Sequence, residues 1–107
     1  MTTAKIGAIG ENDVMLIFKA VGVDVFPTNS RQEAADTLSK LAKEGYAVIF
    51  VTESVALMID AEIKKHASKM LPSIVVVPGL KERNNYALEK LRQSIIKAVG
   101  ADVMKDK

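Results

Sequence analysis

The sequence lacks cysteine and carries a single histidine, His66. Without cysteine the chain has no disulfide, no thiolate nucleophile and no cysteine-ligated zinc or iron–sulfur site. One histidine cannot form a histidine pair on a helix, so zinc is not indicated, and a site made of carboxylates alone would favour magnesium or calcium. No partner for a serine–histidine–aspartate arrangement is indicated, and we interpret His66 as a packing or surface residue.

Long hydrophobic runs and a strong charge of one sign are also missing. No apolar segment approaches the roughly 20 residues that span a bilayer, and the amino-terminal residues lack the pattern of a secretion signal. The net charge is only +2 for 107 residues, far from the concentrated basic surface of a nucleic-acid-binding protein. We therefore expect one soluble, cytoplasmic domain with no membrane insertion and no nucleic-acid partner.

The clearest structural signal is the apolar run at residues 46–53, which is enriched in β-branched side chains. A strand with one face in water alternates apolar and polar residues, whereas residues 47–51 are apolar without a break. This pattern is typical of a parallel strand that is covered by helices on both faces. Gly45 ends the helical pattern before this strand, and Thr52 or Ser54 can cap a helix after it.

Strands and helices alternate along the rest of the chain. Ser30 and Glu33 match a capping box, and Asp24 with the nearby Pro27 favours an edge position for the second strand. We place strands at 5–9, 23–26, 46–53 and 73–77, and helices at 13–20, 30–45, 55–70 and 87–99. The third helix is expected to turn four apolar residues to the sheet, Val55, Ile59, Ile63 and Met70. The alternation predicts an α/β fold of flavodoxin-like, receiver-like type, a four-stranded parallel sheet in the order 2-1-3-4 with flanking helices.

The last helix is the segment to which we assign a possible binding role. No fifth strand follows strand four, so residues 1–79 suffice for the sheet and residues 80–107 form a loop and a helix that is free to project within one structural domain. Spacing typical of a coiled coil leaves two interpretations open, packing on the chain's own sheet or docking on a helical partner. The candidate partner-binding residues are Leu88, Leu91, Arg92, Ile95, Ile96, Val99 and Val103. If the stripe is ordinary core, the partner surface is expected at residues 80–85 instead.

No catalytic, cofactor or metal site emerges from the motifs. Gly7 and Gly10 are too few for a dinucleotide fingerprint, and the Gly-Lys-Ser/Thr of a phosphate loop is absent. Carboxylates at Glu11, Asp13 and Glu53 follow strand ends that meet at one rim, where weak magnesium binding is conceivable. Helix-cap and first-turn roles explain each of these residues, so we predict that the chain is not an enzyme.

Two other classes of protein remain as alternatives. In a receiver-like signalling module, an aspartate ends strand three and a hydroxyl residue ends strand four, whereas this chain has Thr52-Glu53 and Pro78 there. A small RNA-binding protein is the second alternative, and it rests on a group of basic residues, Lys64, Lys65, Lys69, Lys81 and Arg83. Binding through such a face would weaken steeply with salt.

Four segments together carry a resemblance to a known family. They are residues 9–13 leading into 18–23, the strand at 47–53, residues 71–79 and the ending at 95–102. Over nearly the whole chain the sequence resembles the F subunit of the central stalk of V/A-type (vacuolar/archaeal-type) rotary ATPases. Asn12 and Lys19 stand where the family often has an acidic residue and an arginine.

The resemblance implies a rotor component without catalytic activity. It implies binding to the coiled coil of the D subunit, possible contacts with the A and B subunits that hydrolyse or make ATP, and a peripheral position at the membrane through the complex. Related members are thought to stiffen the shaft and to modulate ATPase activity in proton- or sodium-translocating machines. A compact domain with a terminal helix after a truncated sheet suits that role.

Overall fold

Strands and helices alternate as the sequence predicted. The structure is a computed structural model that describes residues 5–80 and 84–105, with side chains as far as Gly100. In chain order its elements are β1 (Ile6–Gly10), α1 (Asn12–Ala20), β2 (Asp24–Pro27), α2 (Arg31–Lys43), β3 (Val48–Thr52), α3 (Glu53–Met58), α4 (Asp60–His66), β4 (Ser73–Val77) and α5 (Asn85–Lys105). Within these described residues, no helix is both long enough and apolar enough to cross a membrane.

The four strands form one parallel sheet in the order β2-β1-β3-β4. This order confirms the predicted 2-1-3-4 arrangement and places β2 at an edge, as Asp24 and Pro27 indicated. The Asp24 carboxylate accepts a hydrogen bond from the Tyr46 hydroxyl at 2.8 Å. Burial and this hydrogen bond raise the pKa of Tyr46 to about 12. The aspartate on the edge strand therefore has a defined partner.

Strand β3 is buried along its whole length, because helices cover the sheet on both faces. On one face Phe50 packs against Phe18 of α1, with ring centroids 5.3 Å apart. On the other face Ile49 packs with Leu38 and Leu41 of α2. The unbroken apolar run thus predicted the central strand correctly. Strand β4 has a similar run but lies at the other edge, where Val76 is 49% exposed.

Helix α2 begins where the capping box indicated. The Ser30 hydroxyl accepts a hydrogen bond from the backbone N–H of Glu33 at 3.2 Å. In a complete capping box the N–H of Ser30 would donate to the Glu33 carboxylate. Here it donates to the hydroxyl of Thr28 at 3.4 Å instead. After the helix, Gly45 adopts φ +83°, a left-handed conformation that favours glycine.

The predicted single helix at 55–70 is wrong, because the chain forms two short helices there. They meet at Ile59, which leaves helical geometry with φ −118° and ψ 31° while its side chain is fully buried. Packing of Ile59 on the sheet therefore takes precedence over a straight helix. Helix α4 ends at His66, and Met70 is 91% exposed rather than turned to the sheet. Proline disfavours helical geometry in the residue before it, so Pro72 prevents a helix from continuing through Leu71, but α4 ends five residues before that point.

Candidate partner-binding surface

Helix α5 lies against the sheet instead of projecting from it. Leu91 is 6% exposed and Ile95 is fully buried. Both belong to the core cluster that contains Phe18 and Phe50, and Val99 packs on the same cluster from a half-buried position. Three of the candidate residues therefore hold the helix on its own domain. The core is not complete without this helix, in contrast to the expectation that the sheet closes alone.

The remaining described candidates lie along one flank of α5, next to the residues that pack on the core. Leu88 is 42% exposed, Ile96 is 40% exposed and Arg92 is exposed between them. These three residues follow one another at four-residue spacing and share one side of the helix. Tyr86, near the start of the helix, is 72% exposed. Partly exposed leucine and isoleucine beside an arginine can form the centre of a small helix–helix contact.

Val103 and part of the alternative surface at 80–85 lie outside the residues whose side chains the structure describes. Val103 belongs to α5, but its side chain lies beyond the described ones. In the alternative surface at 80–85, Lys81, Glu82 and Arg83 lie outside the described residues. Leu80 is half-buried and packs against the core cluster. Asn84 and Asn85, the other described residues of that range, are exposed.

Arg92 is kept near the apolar pair by a neighbour on the same helix. Its guanidinium lies 3.5 Å from the Glu89 carboxylate, and both side chains are about half exposed. An exposed pair of this kind contributes little stability, so Arg92 remains available for a carboxylate of a partner. The Lys90 ammonium lies 5.7 Å from the ring centre of Tyr86. The exposed surface of α5 therefore combines apolar and basic groups.

The carboxyl ends of the strands carry a polar contact that the sequence did not predict. The Glu11 carboxylate accepts hydrogen bonds from the Thr52 hydroxyl and, at 2.8 Å, from the Ser54 hydroxyl. Glu11 is at the cap position of α1 but makes no side-chain cap bond, so the predicted cap role of its side chain is wrong. Thr52 and Ser54 likewise bind Glu11 instead of capping α3. The end of β1 is thereby tied to the end of β3.

The predicted acidic rim does not form a metal site in the described part of the chain. There, no group of three or more carboxylate or imidazole side chains is placed to hold an ion. Asp13 accepts a hydrogen bond from the N–H of Val14 at 3.0 Å in the first turn of α1, as its first-turn role predicted. Glu53 is exposed in the first turn of α3. Thr52, at the end of β3, is fully buried.

Replacing Glu11 with alanine is expected to lower the free energy of unfolding by about 1–3 kcal/mol. The reason is that the hydroxyl of the fully buried Thr52 loses its acceptor. Urea denaturation followed by circular dichroism measures the change. Glu53→Ala is the matched control, since it removes a carboxylate from the same rim where the side chain is exposed. Equal effects of the two substitutions would contradict the assigned role of Glu11.

Sheet order, strand direction and the terminal helix define a small doubly wound α/β domain that carries an exposed apolar and basic helix side. The family model described as ATP synthase (F/14-kDa) subunit matches residues 6–95. The chain belongs to this family, the F subunits of V-type ATP synthases. The resemblance seen in the sequence is thereby confirmed.

Curated relatives and a solved structure agree with this assignment. The chain is 40% identical over 100 residues to the F subunit of the V-type ATP synthase of Clostridium botulinum, covering 94% of this chain and 97% of the relative. It is 41% identical over 100 residues to that of Fusobacterium nucleatum, covering 94% and 95%. The crystal structure of the F subunit of the V-type ATP synthase of Archaeoglobus fulgidus matches with a TM-score of 0.61 at 16% identity, covering 71% of this chain and 99% of that chain. This last match supports the fold.

Proposed function

We propose that this chain is a non-catalytic component of the central stalk, located at the membrane periphery through its complex, that binds a coiled-coil subunit of the D type and supports or modulates rotation. The observation that carries the proposal is the partly exposed flank of α5 beside its buried stripe. There Leu88 and Ile96 stay partly exposed although the helix is packed on its own core. Membership in the family of F subunits supplies the complex in which this surface has partners.

The geometry of α5 suits a coiled-coil partner. The helix has 21 residues, which corresponds to about 30 Å at 1.5 Å per residue. Leu91, Ile95 and Val99 fix it on the sheet, so Leu88, Arg92 and Ile96 are presented in a set orientation. A long partner helix packed beside α5 can cover both apolar side chains and offer a carboxylate to Arg92. Val103 extends the same candidate set toward the end of the helix.

Catalysis is assigned to other subunits of the complex. At the carboxyl ends of the strands, the Glu11 carboxylate is bound to the hydroxyls of Thr52 and Ser54. We interpret these hydrogen bonds as structural, because they join β1 to the end of β3. Contacts with the A and B subunits belong to the same proposal, although no described residue distinguishes a surface for them. Rotation and its modulation therefore depend on how firmly α5 holds the coiled coil.

Truncating Leu88 and Ile96 together to alanine is expected to weaken binding to a recombinant coiled coil of the D type by about 2–4 kcal/mol. This corresponds to a dissociation constant roughly 30- to 1000-fold higher. The thermal melt of the domain should change little, because both side chains are partly exposed already. Isothermal titration calorimetry measures the affinity, and circular dichroism measures the melt.

Leu16→Ala is the control for this experiment, because Leu16 on α1 is 68% exposed and its truncation removes apolar surface elsewhere. Unchanged affinity in the Leu16 variant with weakened affinity in the α5 variant supports docking through α5. If the Leu88 and Ile96 variant binds as tightly as the original chain, the docking surface lies elsewhere. ATP-driven rotation in a complex reconstituted with each variant then measures the functional consequence.

A further inference from the structure

Two adjoining cavities open at the amino-terminal end of β4, at a distance along the chain from the α5 candidates. Their volumes are about 210 and 250 Å³, and both are lined by His66, Lys69 and Pro72. Ser39 and Lys43 of α2 complete the polar lining of the smaller one. No carboxylate is among the described residues that line either cavity. The charged side chains of the two linings are therefore lysines, and the serine hydroxyls can donate hydrogen bonds.

Donors from two separate segments converge on the smaller cavity. Ser39 and Lys43 are one helical turn apart on α2, which places their side chains on the same side of that helix. Lys69 contributes from the segment after α4. Within the part of the chain that the structure describes, Lys43, Lys65 and Lys69 make no ion pair. Their charges are therefore not neutralised by neighbouring carboxylates.

Lysines near the carboxyl end of a helix commonly stabilise the helix dipole. Helix α2 ends at Lys43 and α4 ends at His66, and a helix carboxyl terminus carries about half a negative charge. Only Lys43 and Lys69 line the smaller cavity, and two such ends offset about one of their two charges, or less if the short α4 has a smaller dipole. A positive excess of about one charge remains at the cavity. Compensation of helix dipoles alone does not account for it.

The positive charges near the cavity affect the imidazole of His66. Burial, followed by the charges of Lys69 and Lys65, lowers the pKa of its imidazole. Its Nδ1 atom is shielded from solvent and has no hydrogen-bond partner among the described residues. The one carboxylate a turn earlier on α4, Glu62, directs its Oε2 to Arg31 at 3.4 Å. An anion held between the lysines would offset their field and would favour the protonated imidazole.

We infer that the smaller cavity is a binding site for a phosphate-type oxyanion, held by the ammonium groups of Lys43 and Lys69 and the hydroxyl of Ser39, with His66 at its wall. A tetrahedral oxyanion suits this set, because its oxygens accept hydrogen bonds in several directions and its negative charge is attracted by the two ammonium groups. Free inorganic phosphate and a phosphoryl group of a nucleotide share this chemistry. None of the residues that line this site belongs to α5. Anion binding can therefore be tested separately from the proposed docking of α5 on a coiled coil.

Nuclear magnetic resonance of the single histidine tests the site in the intact chain. The ring signals of His66 need no assignment by mutagenesis, because the sequence has one histidine. Inorganic phosphate, sulfate and ATP are titrated separately at constant ionic strength, with chloride as the balancing anion. We expect a saturable change in the ring signals with phosphate or ATP, and an apparent pKa of His66 that rises by about one unit at saturation. Sulfate remains a dianion across the titration, so it separates anion charge from phosphate protonation.

Matched variants decide the outcome. Lys43→Gln combined with Lys69→Gln is expected to abolish saturation, whereas Lys40→Gln combined with Lys97→Gln removes the same two charges from exposed residues that do not line the cavity. Circular dichroism confirms that each variant is folded. Tighter saturation by phosphate assigns the free ion, and tighter saturation by ATP assigns a phosphoryl group of a nucleotide. A non-saturating change that equals that of chloride, or saturation that persists in the double variant, would overturn the inference.

Discussion

Replacing Ile49 with aspartate is expected to abolish the cooperative melt of the domain, which should be unfolded at room temperature. Ile49 is fully buried in β3, between Gly7 of β1 and Ile74 of β4 in the register of the sheet. A carboxylate there would lie among apolar side chains, where burial of an unpaired charge costs many kcal/mol unless the group is neutralised. A domain of this size is stable by only about 5–15 kcal/mol. Circular dichroism during heating measures the result.

Ile49→Val is the control for the buried charge, because it keeps the β-branched shape and removes one methyl group. Its cost is expected to be about 0.5–1.5 kcal/mol, which leaves a cooperative transition at a somewhat lower temperature. A variant with aspartate that melts cooperatively near the original temperature would contradict the position of β3 in the centre of the sheet.

The central strand could be predicted because its signal is local. A strand buried on both faces has no polar position, and the run at residues 47–51 satisfies that rule without reference to the rest of the chain. The start of α2 could be predicted for the same reason, since the hydrogen bond of the Ser30 cap joins residues only three apart in the sequence. Sheet order followed from the alternation of strands and helices together with the edge character of β2.

The break between α3 and α4 could not be predicted from the same kind of signal. Val55, Ile59 and Ile63 recur at four-residue spacing, which is typical of one continuous helix. The break follows from where the sheet surface lies relative to Ile59, and that position is set by tertiary packing. The contact between Glu11 and Thr52 was missed for a related reason, because 41 residues separate the two along the chain.

The stripe on α5 shows a different limit of sequence reasoning. Helical spacing groups Leu88, Leu91, Ile95 and Val99 in one aliphatic stripe, with Ile96 to one side of it. The structure separates them, because Leu91 and Ile95 are buried while Leu88 and Ile96 are about two-fifths exposed. Side-chain type does not distinguish a core contact from an exposed one on the same helix. Only the position of the sheet beneath α5 makes the distinction.

Replacing Leu91 and Ile95 together with alanine is therefore expected to destabilise the domain strongly. Truncation of a buried leucine or isoleucine costs about 2–5 kcal/mol through lost burial and the cavity that remains. The two side chains belong to one core cluster, so their effects will not add strictly. A combined loss of about 4 kcal/mol or more removes much of the stability of a small domain. Urea denaturation and the thermal melt measure this loss.

This variant is compared with the Leu88 and Ile96 double-alanine variant, which removes similar aliphatic groups from the partly exposed flank of the same helix. We expect that variant to keep its melt and to lose affinity for the coiled coil of the D type. The Leu91 and Ile95 variant should lose its melt, and its binding should fall because α5 is no longer held in place. If the Leu91 and Ile95 variant instead melts normally while affinity falls, α5 leaves the sheet to dock, and its inward side contacts the partner.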